Sequence, residues 1–145
     1  MSTPYLDTGF ALKRYVQEPN SPAASTALLP YTPPLPLTDT LEMELVNALH
    51  GKVHRRELTE AERDLCLASF EADIVAGFWQ RMTLGPSSLR NRVVNLSTRH
   101  TPTLGTRTLD LLHVAAALEL GCTDFLSFDN RQRQAAQAEG LNVLP

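Results

Sequence analysis

At 145 residues, with 43% apolar and 20% charged side chains, the chain is sized for one domain around a single core. Its formal net charge of −3 argues against a protein held to nucleic acid mainly by bulk positive charge, and no apolar run is long enough to span a bilayer. Two distant cysteines, Cys66 and Cys122, both in apolar surroundings, argue against a disulfide framework. There is no CxxC, which argues against a cysteine-held zinc. The first residues do not spell a signal peptide, so a reducing cytoplasm is the expected setting. Charge is uneven along the chain. Six acids and one Arg lie between Glu57 and Asp73, whereas six Arg oppose five acids from Ser87 onward, where a polyanion finds local attraction.

In chain order, Pro4-Tyr5-Leu6 reads as a first strand with Pro at its first position. Asp7 follows, and Thr8 to Gln17 reads as a helix. Glu18-Pro19-Asn20-Ser21-Pro22 breaks it, and a short helix runs on through Leu29. A proline-rich loop spans Pro30 to Pro36, and Leu35 to Thr38 is a second strand. Asp39-x-x-Glu42 has the form of a capping box opening a helix to about Arg56. Thr59-x-x-Glu62 opens another, to about Ala76, with Leu58, Ala61, Leu65, Ala68 and Ala72 as its apolar stripe. Phe78 to Leu84 carries a third strand, and Pro86 starts a helix ending near Arg99.

The stretch Thr106–Arg133 organises the rest. Thr106 or Thr108 offers an N-cap, Leu109 to Leu120 is apolar around most of a helix, and Gly121 supplies its stop. Phe125 to Phe128 is a short strand, Asp129 stands at the mouth of a helix from Asn130 to Glu139, and Leu141 to Val143 closes the chain as a strand. Strands separated by helical stretches of ten or more residues predict a parallel sheet of about five strands covered on both faces, an α/β/α arrangement in three layers.

Open parallel sheets build their sites at the carboxyl ends of the strands. Asp7 and Asp129 each follow a strand directly. Asp110 begins a helix otherwise apolar on nearly every side, with no Lys or Arg in its body. Glu44 shares a face with Leu41, Leu45 and Ala48, so it points partly inward. Clustered carboxylates ionise together only around a cation, and an all-oxygen set selects Mg²⁺ or Mn²⁺. Each acid also has a purely structural role open to it: Asp7, Asp110 and Asp129 as helix N-terminal residues, Glu44 as a half-exposed helix residue. Asp7-Thr8-Gly9 spells the aspartic-protease triplet, but FALKRYV after it reads as helix, and that chemistry needs a β-rich scaffold.

With these residues in view, the chain resembles a PIN domain, and within that superfamily the toxin ribonucleases of VapBC-type toxin–antitoxin pairs. The resemblance is carried by Tyr5-Leu6-Asp7-Thr8 with Ala11-Leu12-Lys13, by Glu44-Leu45-Val46-Asn47-Ala48-Leu49, by Leu109-Asp110-Leu111-Leu112-His113-Val114-Ala115-Ala116-Ala117, and by Ser127-Phe128-Asp129-Asn130-Arg131. It implies a single PIN-like nuclease domain over residues 1–145. It further implies a Mg²⁺- or Mn²⁺-dependent endoribonuclease in which Asp7, Glu44, Asp110 and Asp129 hold the metal, a homodimer, an RNA substrate and inhibition by a small antitoxin. Gly9 departs from the small polar residue usual in the family two positions after the first acid, which puts one secondary hydrogen bond in question.

Beside the acids, Thr8, Ser127, Asn130 and Arg131 are candidate secondary residues, and Arg107 and Arg133 candidate phosphate contacts. His113, one turn after Asp110, is a candidate base but reads more simply as a packed residue whose ring N–H is satisfied nearby. Trp79 reads as core or dimer interface. The alternative function is a non-catalytic PIN-fold module binding RNA or protein. A receiver-like phosphotransfer domain lacks its phospho-accepting Asp after the third strand and its late Lys.

Overall fold

Alternation along two short apolar runs decides which helices lie on which side of the sheet. The computed structural model describes residues 1–145. The chain runs β1 (Pro4–Leu6), α1 (Thr8–Leu12), α2 (Ser21–Leu28), β2 (Leu35–Thr38), α3 (Asp39–His54), α4 (Glu60–Val75), β3 (Trp79–Met82), α5 (Pro86–Leu104), α6 (Thr108–Glu119), β4 (Asp124–Leu126), α7 (Asn130–Ala138) and β5 (Asn142–Leu144). β1 pairs in parallel with β4, Tyr5 opposite Phe125 and Leu6 opposite Leu126. Successive strand residues face opposite sides. Tyr5 and Phe125 therefore join one core, their rings stacked at 5.9 Å, with Leu96, Leu111, Val114, Ala135 and Ala136 from α5 to α7. Leu6 and Leu126 join the other, with Phe10, Leu41, Leu45, Leu49, Phe70 and Trp79 from α1, α3, α4 and β3. The result is the three-layer α/β/α arrangement.

All five strands are parallel, but they form a three-stranded sheet, β1-β4-β5, and a separate pair, β2-β3. β2 lies beside β1 without a backbone ladder between them. Pro36 accounts for part of this. Leu35 N–H donates to Phe78 on the β3 side, so the next residue turns its nitrogen toward β1, and proline has no hydrogen there to donate. A side-chain bond spans the gap instead, Tyr5 OH to Thr38 Oγ1 at 3.2 Å.

Several elements differ from the sequence expectation. α1 stops at Leu12, and residues 13–15 continue in tighter i→i−3 turns that seat Val16 in the core. Thr38, not Asp39, caps α3, its hydroxyl accepting from Leu41 N–H; Glu42 is thereby left to pair with Arg81. The Thr59–Glu62 capping box forms as expected. The inward face of α4 is not the expected stripe, however. Ala61, Leu65, Ala68 and Ala72 are exposed, while Phe70, with Cys66, Leu67 and Ile74, turns inward. One buried aromatic ring outweighs three alanine methyls in setting the rotation of the helix. β3 is shorter than expected, and α5 runs past Pro102 to end at Gly105, whose φ of 64° closes it. Gly121 ends α6 as expected: its N–H reaches Leu118 O, and Cys122 N–H reaches Ala117 O.

This rotation of α4 has a direct test. Phe70→Ala should cost about 3–5 kcal/mol in urea denaturation, whereas Leu65→Ala should stay within about 0.5 kcal/mol of the parent. Comparable losses would place the expected stripe, not Phe70, against the core.

Candidate active site

The carboxyl ends of β1 and β4 lie side by side, joined by Asp7 N–H to Leu126 O at 3.1 Å. Each strand delivers an acid there. Asp7 caps α1, its Oδ1 accepting from Phe10 N–H at 2.7 Å, and Ser127 donates its hydroxyl to Oδ2. The Ser127 oxygen also accepts Asp129 N–H at 3.0 Å, so one buried serine ties the two strand ends together. Asp129 caps α7 through Oδ1, which accepts from the N–H groups of Arg131 and Gln132. Burial pushes the Asp7 carboxyl above its ordinary value and the Asp129 charge adds to this, against the Ser127 and Phe10 hydrogen bonds.

Asp110 sits in the first turn of α6, 2% exposed. The residue before that helix is Arg107, not Thr106 or Thr108. Its side chain accepts nothing, and Asp110 Oδ2 serves the helix start instead, taking Arg107 N–H at 2.8 Å. The Arg107 guanidinium then returns to both oxygens of Asp110, at 3.2 and 3.3 Å, and reaches Asp129 Oδ2 at 4.0 Å. Burial raises the Asp110 carboxyl, but Arg107 and Gln132 outweigh it and hold it below its ordinary value. The sequence reading took Arg107 for a phosphate contact; its i, i+3 spacing to Asp110 was the signal for this pairing.

Glu44, on α3, meets the same edge from the β2–β3 side. Its Oε2 accepts from Thr8 Oγ1 at 2.9 Å and is hydrogen-bonded to His113 Nε2. Burial raises its carboxyl, and the His113 and Thr8 bonds outweigh this, so it lies below its ordinary value. His113 is buried behind it, Nδ1 3.0 Å from Tyr5 OH. The expectation of a packed histidine with a satisfied ring holds, with the added fact that its partner is one of the four acids.

Other candidates separate. Arg133 donates to Ser127 O at 2.7 Å and braces the end of β4. Arg131 is exposed without an ion pair, and Asn130 is an exposed first-turn residue of α7. Trp79 is core, 2% exposed, its Nε1–H donating to Tyr15 OH at 2.7 Å. The Gln132 side chain donates to Asp110 Oδ1 at 3.2 Å, and its Oε1 is a buried oxygen without a partner. Nothing in the local pattern indicated that reach across elements.

The donor set is hard and anionic, as Mg²⁺ or Mn²⁺ requires. No three of the His, Cys, Asp or Glu side chains stand ready around one point, however. The positive charge between Asp110 and Asp129 is the guanidinium of Arg107, a stand-in for a cation. It is the alternative to a metal that buried acids permit, and it is realised for two of the four. That guanidinium belongs to a side chain 67% exposed, whereas Asp110 is 2% exposed. Neither Asp7 nor Glu44 is bridged by Arg or Lys. By donor chemistry the four acids suit a divalent cation, but they do not converge on one point in this arrangement, where Arg107 stands between two of them.

No family model matches the chain, and no curated protein matches it by sequence. Solved structures do. The chain is similar to VapC20 of Mycobacterium tuberculosis, described as a sarcin–ricin-loop-cleaving toxin, at 14% identity and a TM-score of 0.70, over 99% of this chain and 100% of that one. It is similar to a chain of FitAcB from Neisseria gonorrhoeae at 15% identity and 0.70, over 99% and 97%. A toxin–antitoxin complex from Klebsiella pneumoniae matches at 14% and 0.62, over 99% and 97%. At such identities the likeness concerns the backbone, and it spans essentially all of it: the chain has the α/β/α fold of VapC-type PIN toxins.

Proposed function

We propose that this chain is a Mg²⁺- or Mn²⁺-dependent endoribonuclease acting as the toxin of a toxin–antitoxin pair. The observation that carries the reading is the meeting of Asp7 and Asp129 at adjoining strand ends, with Asp110 and Glu44 tied to the same edge, in a fold shared with VapC20. Asp7, Glu44, Asp110 and Asp129 would hold the cation. When bound, such a cation neutralises charge developing at phosphorus and makes water a better nucleophile at neutral pH. Ser127 keeps the Asp7 carboxylate aimed, and Gln132 keeps Asp110 aimed when Arg107 leaves it. Arg107, once released from Asp110, and Arg131, exposed in the first turn of α7, would be available to the RNA backbone. Likeness to a chain of a toxin–antitoxin complex supports an inhibitory protein partner. A homodimer, as the family resemblance implies, and a cytoplasmic setting, as the cysteine usage implies, complete the reading.

The pairing of Arg107 with Asp110 favours one second reading, a metal-free module that binds RNA or protein without cutting it. Cleavage separates the two. The first predicts RNA cleavage with Mn²⁺ or Mg²⁺, none in EDTA, and loss of at least a hundredfold in Asp7→Asn. Equal cleavage in EDTA removes the metal-dependent mechanism, and none at any metal concentration removes the nuclease.

Asp7→Asn should lose activity without losing stability. The folded carboxyl titrates above its unfolded value of 3.8, so between those two values the native state holds the extra proton. The contribution of Asp7 to stability therefore falls as pH rises through that window. At pH 8 the variant should melt no lower than the parent. Melting several degrees lower would mean that the ionised carboxylate supports the fold.

Arg107→Ala should lower the melting temperature of the metal-free protein, because Asp110 loses its counter-charge. Mn²⁺ should then raise the melting temperature more in the variant than in the parent. Equal shifts would show that the guanidinium and the cation do not compete.

A further inference from the structure

Behind Glu44 runs a chain of buried hydrogen bonds. Leu41 N–H donates to Thr38 Oγ1 at 3.3 Å, and that hydroxyl lies 3.2 Å from Tyr5 OH. Tyr5 OH lies 3.0 Å from His113 Nδ1. Across the ring, Nε2 faces Glu44 Oε2 and, at 3.1 Å, Thr8 Oγ1. A carboxylate there calls for the proton on Nε2, because a ring lone pair would oppose it, and the Tyr5 hydroxyl then has its hydrogen for Nδ1. Tyr5, Thr38 and His113 are buried, so water does not offer substitute partners. Both donors, His113 and Thr8, converge on Oε2, which leaves Oε1 of Glu44 without a partner.

We propose that Tyr5 and His113 are positioning residues for Glu44: the Tyr5 hydroxyl, from the middle of β1, holds the His113 ring by Nδ1, and Nε2–H on the far side of that ring pins Oε2 so that Oε1 is presented to the cation. Neither residue is a catalytic residue or a ligand. The proposal rests on the acidic-site reading above. It adds that a hydroxyl in the sheet interior, in contact with none of the four acids, governs how the fourth of them is held. Outer partners of metal ligands commonly carry 10–100-fold of affinity.

Two measurements test it. In metal-free protein, ¹⁵N NMR of the imidazole should report Nε2–H with Nδ1 hydrogen-bonded in the parent, and Nε2–H with the Nδ1 hydrogen bond lost in Tyr5→Phe. In calorimetric titration with Mn²⁺, Tyr5→Phe should bind about tenfold more weakly than the parent. If Tyr5→Phe does not fold, His113→Gln and His113→Leu take its place: the glutamine keeps an N–H for Glu44 and should retain more Mn²⁺ affinity than the leucine. An Nδ1–H or doubly protonated ring in the parent overturns the proposal, as does unchanged Mn²⁺ affinity in Tyr5→Phe or equal losses in the His113 pair. Absence of Mn²⁺ binding by the parent overturns the acidic-site reading and this proposal with it. The tautomer is read without metal, so the two failures are distinguishable.

Discussion

The arrangement at the sheet edge depends on neutralising carboxylates that have been taken out of water. A buried carboxylate costs several kcal/mol unless positive charge or hydrogen-bond donors compensate it. Here helix starts supply much of that compensation. Asp7 takes a first-turn N–H of α1, Asp129 takes two of α7, and Asp110 takes the N–H at the start of α6. The structural role and the chemical role therefore do not compete for the same atom at Asp7 and Asp129. In each, Oδ1 anchors the helix and Oδ2 turns to the shared edge. Glu44, well inside a helix, has no such start to lean on, and it alone recruits an imidazole.

The positions of the acids were legible because the features that locate them are local. An acid directly after a short apolar run must lie at the carboxyl end of a strand, and a helix apolar on nearly every side must lie inside. Asp7, Asp110 and Asp129 follow from those two statements. Long-range partners were not legible. The reach of Gln132 to Asp110 spans elements that only the tertiary arrangement brings together. Tyr5 read as one more strand apolar residue, because nothing in Pro4-Tyr5-Leu6 says where its hydroxyl ends. The rotation of α4 was misjudged for a related reason: counting apolar positions gave alanines the weight that a single Phe70 holds in area. The pairing of Arg107 with Asp110 is absent from the sequence expectation although their i, i+3 spacing was in plain view.

Arg107 also links the resting state to substrate. It stands between two acids that would otherwise repel each other, on a side chain that leaves the site by simple rotation about its own bonds. On the proposed reading, exchange of the guanidinium for a divalent ion would keep the crevice neutralised throughout, and the released guanidinium would suit a polyanionic substrate on a chain that is acidic as a whole.

The missing ladder between β1 and β2 has a consequence for the acids themselves. Asp7, Asp110 and Asp129 ride on the body built around β1, β4 and β5, whereas Glu44 rides on the body built around β2 and β3. The fourth acid is thus mounted on the other strand set, joined to the first by the core that Leu6 and Leu126 share with Leu41 and Leu45, by the contact of Tyr5 with Thr38, and by the bonds of Glu44 itself to Thr8 and His113. On the proposed reading, a binder that parted the two strand sets would have to break those few side-chain bonds to withdraw Glu44, and would leave the other three acids in register.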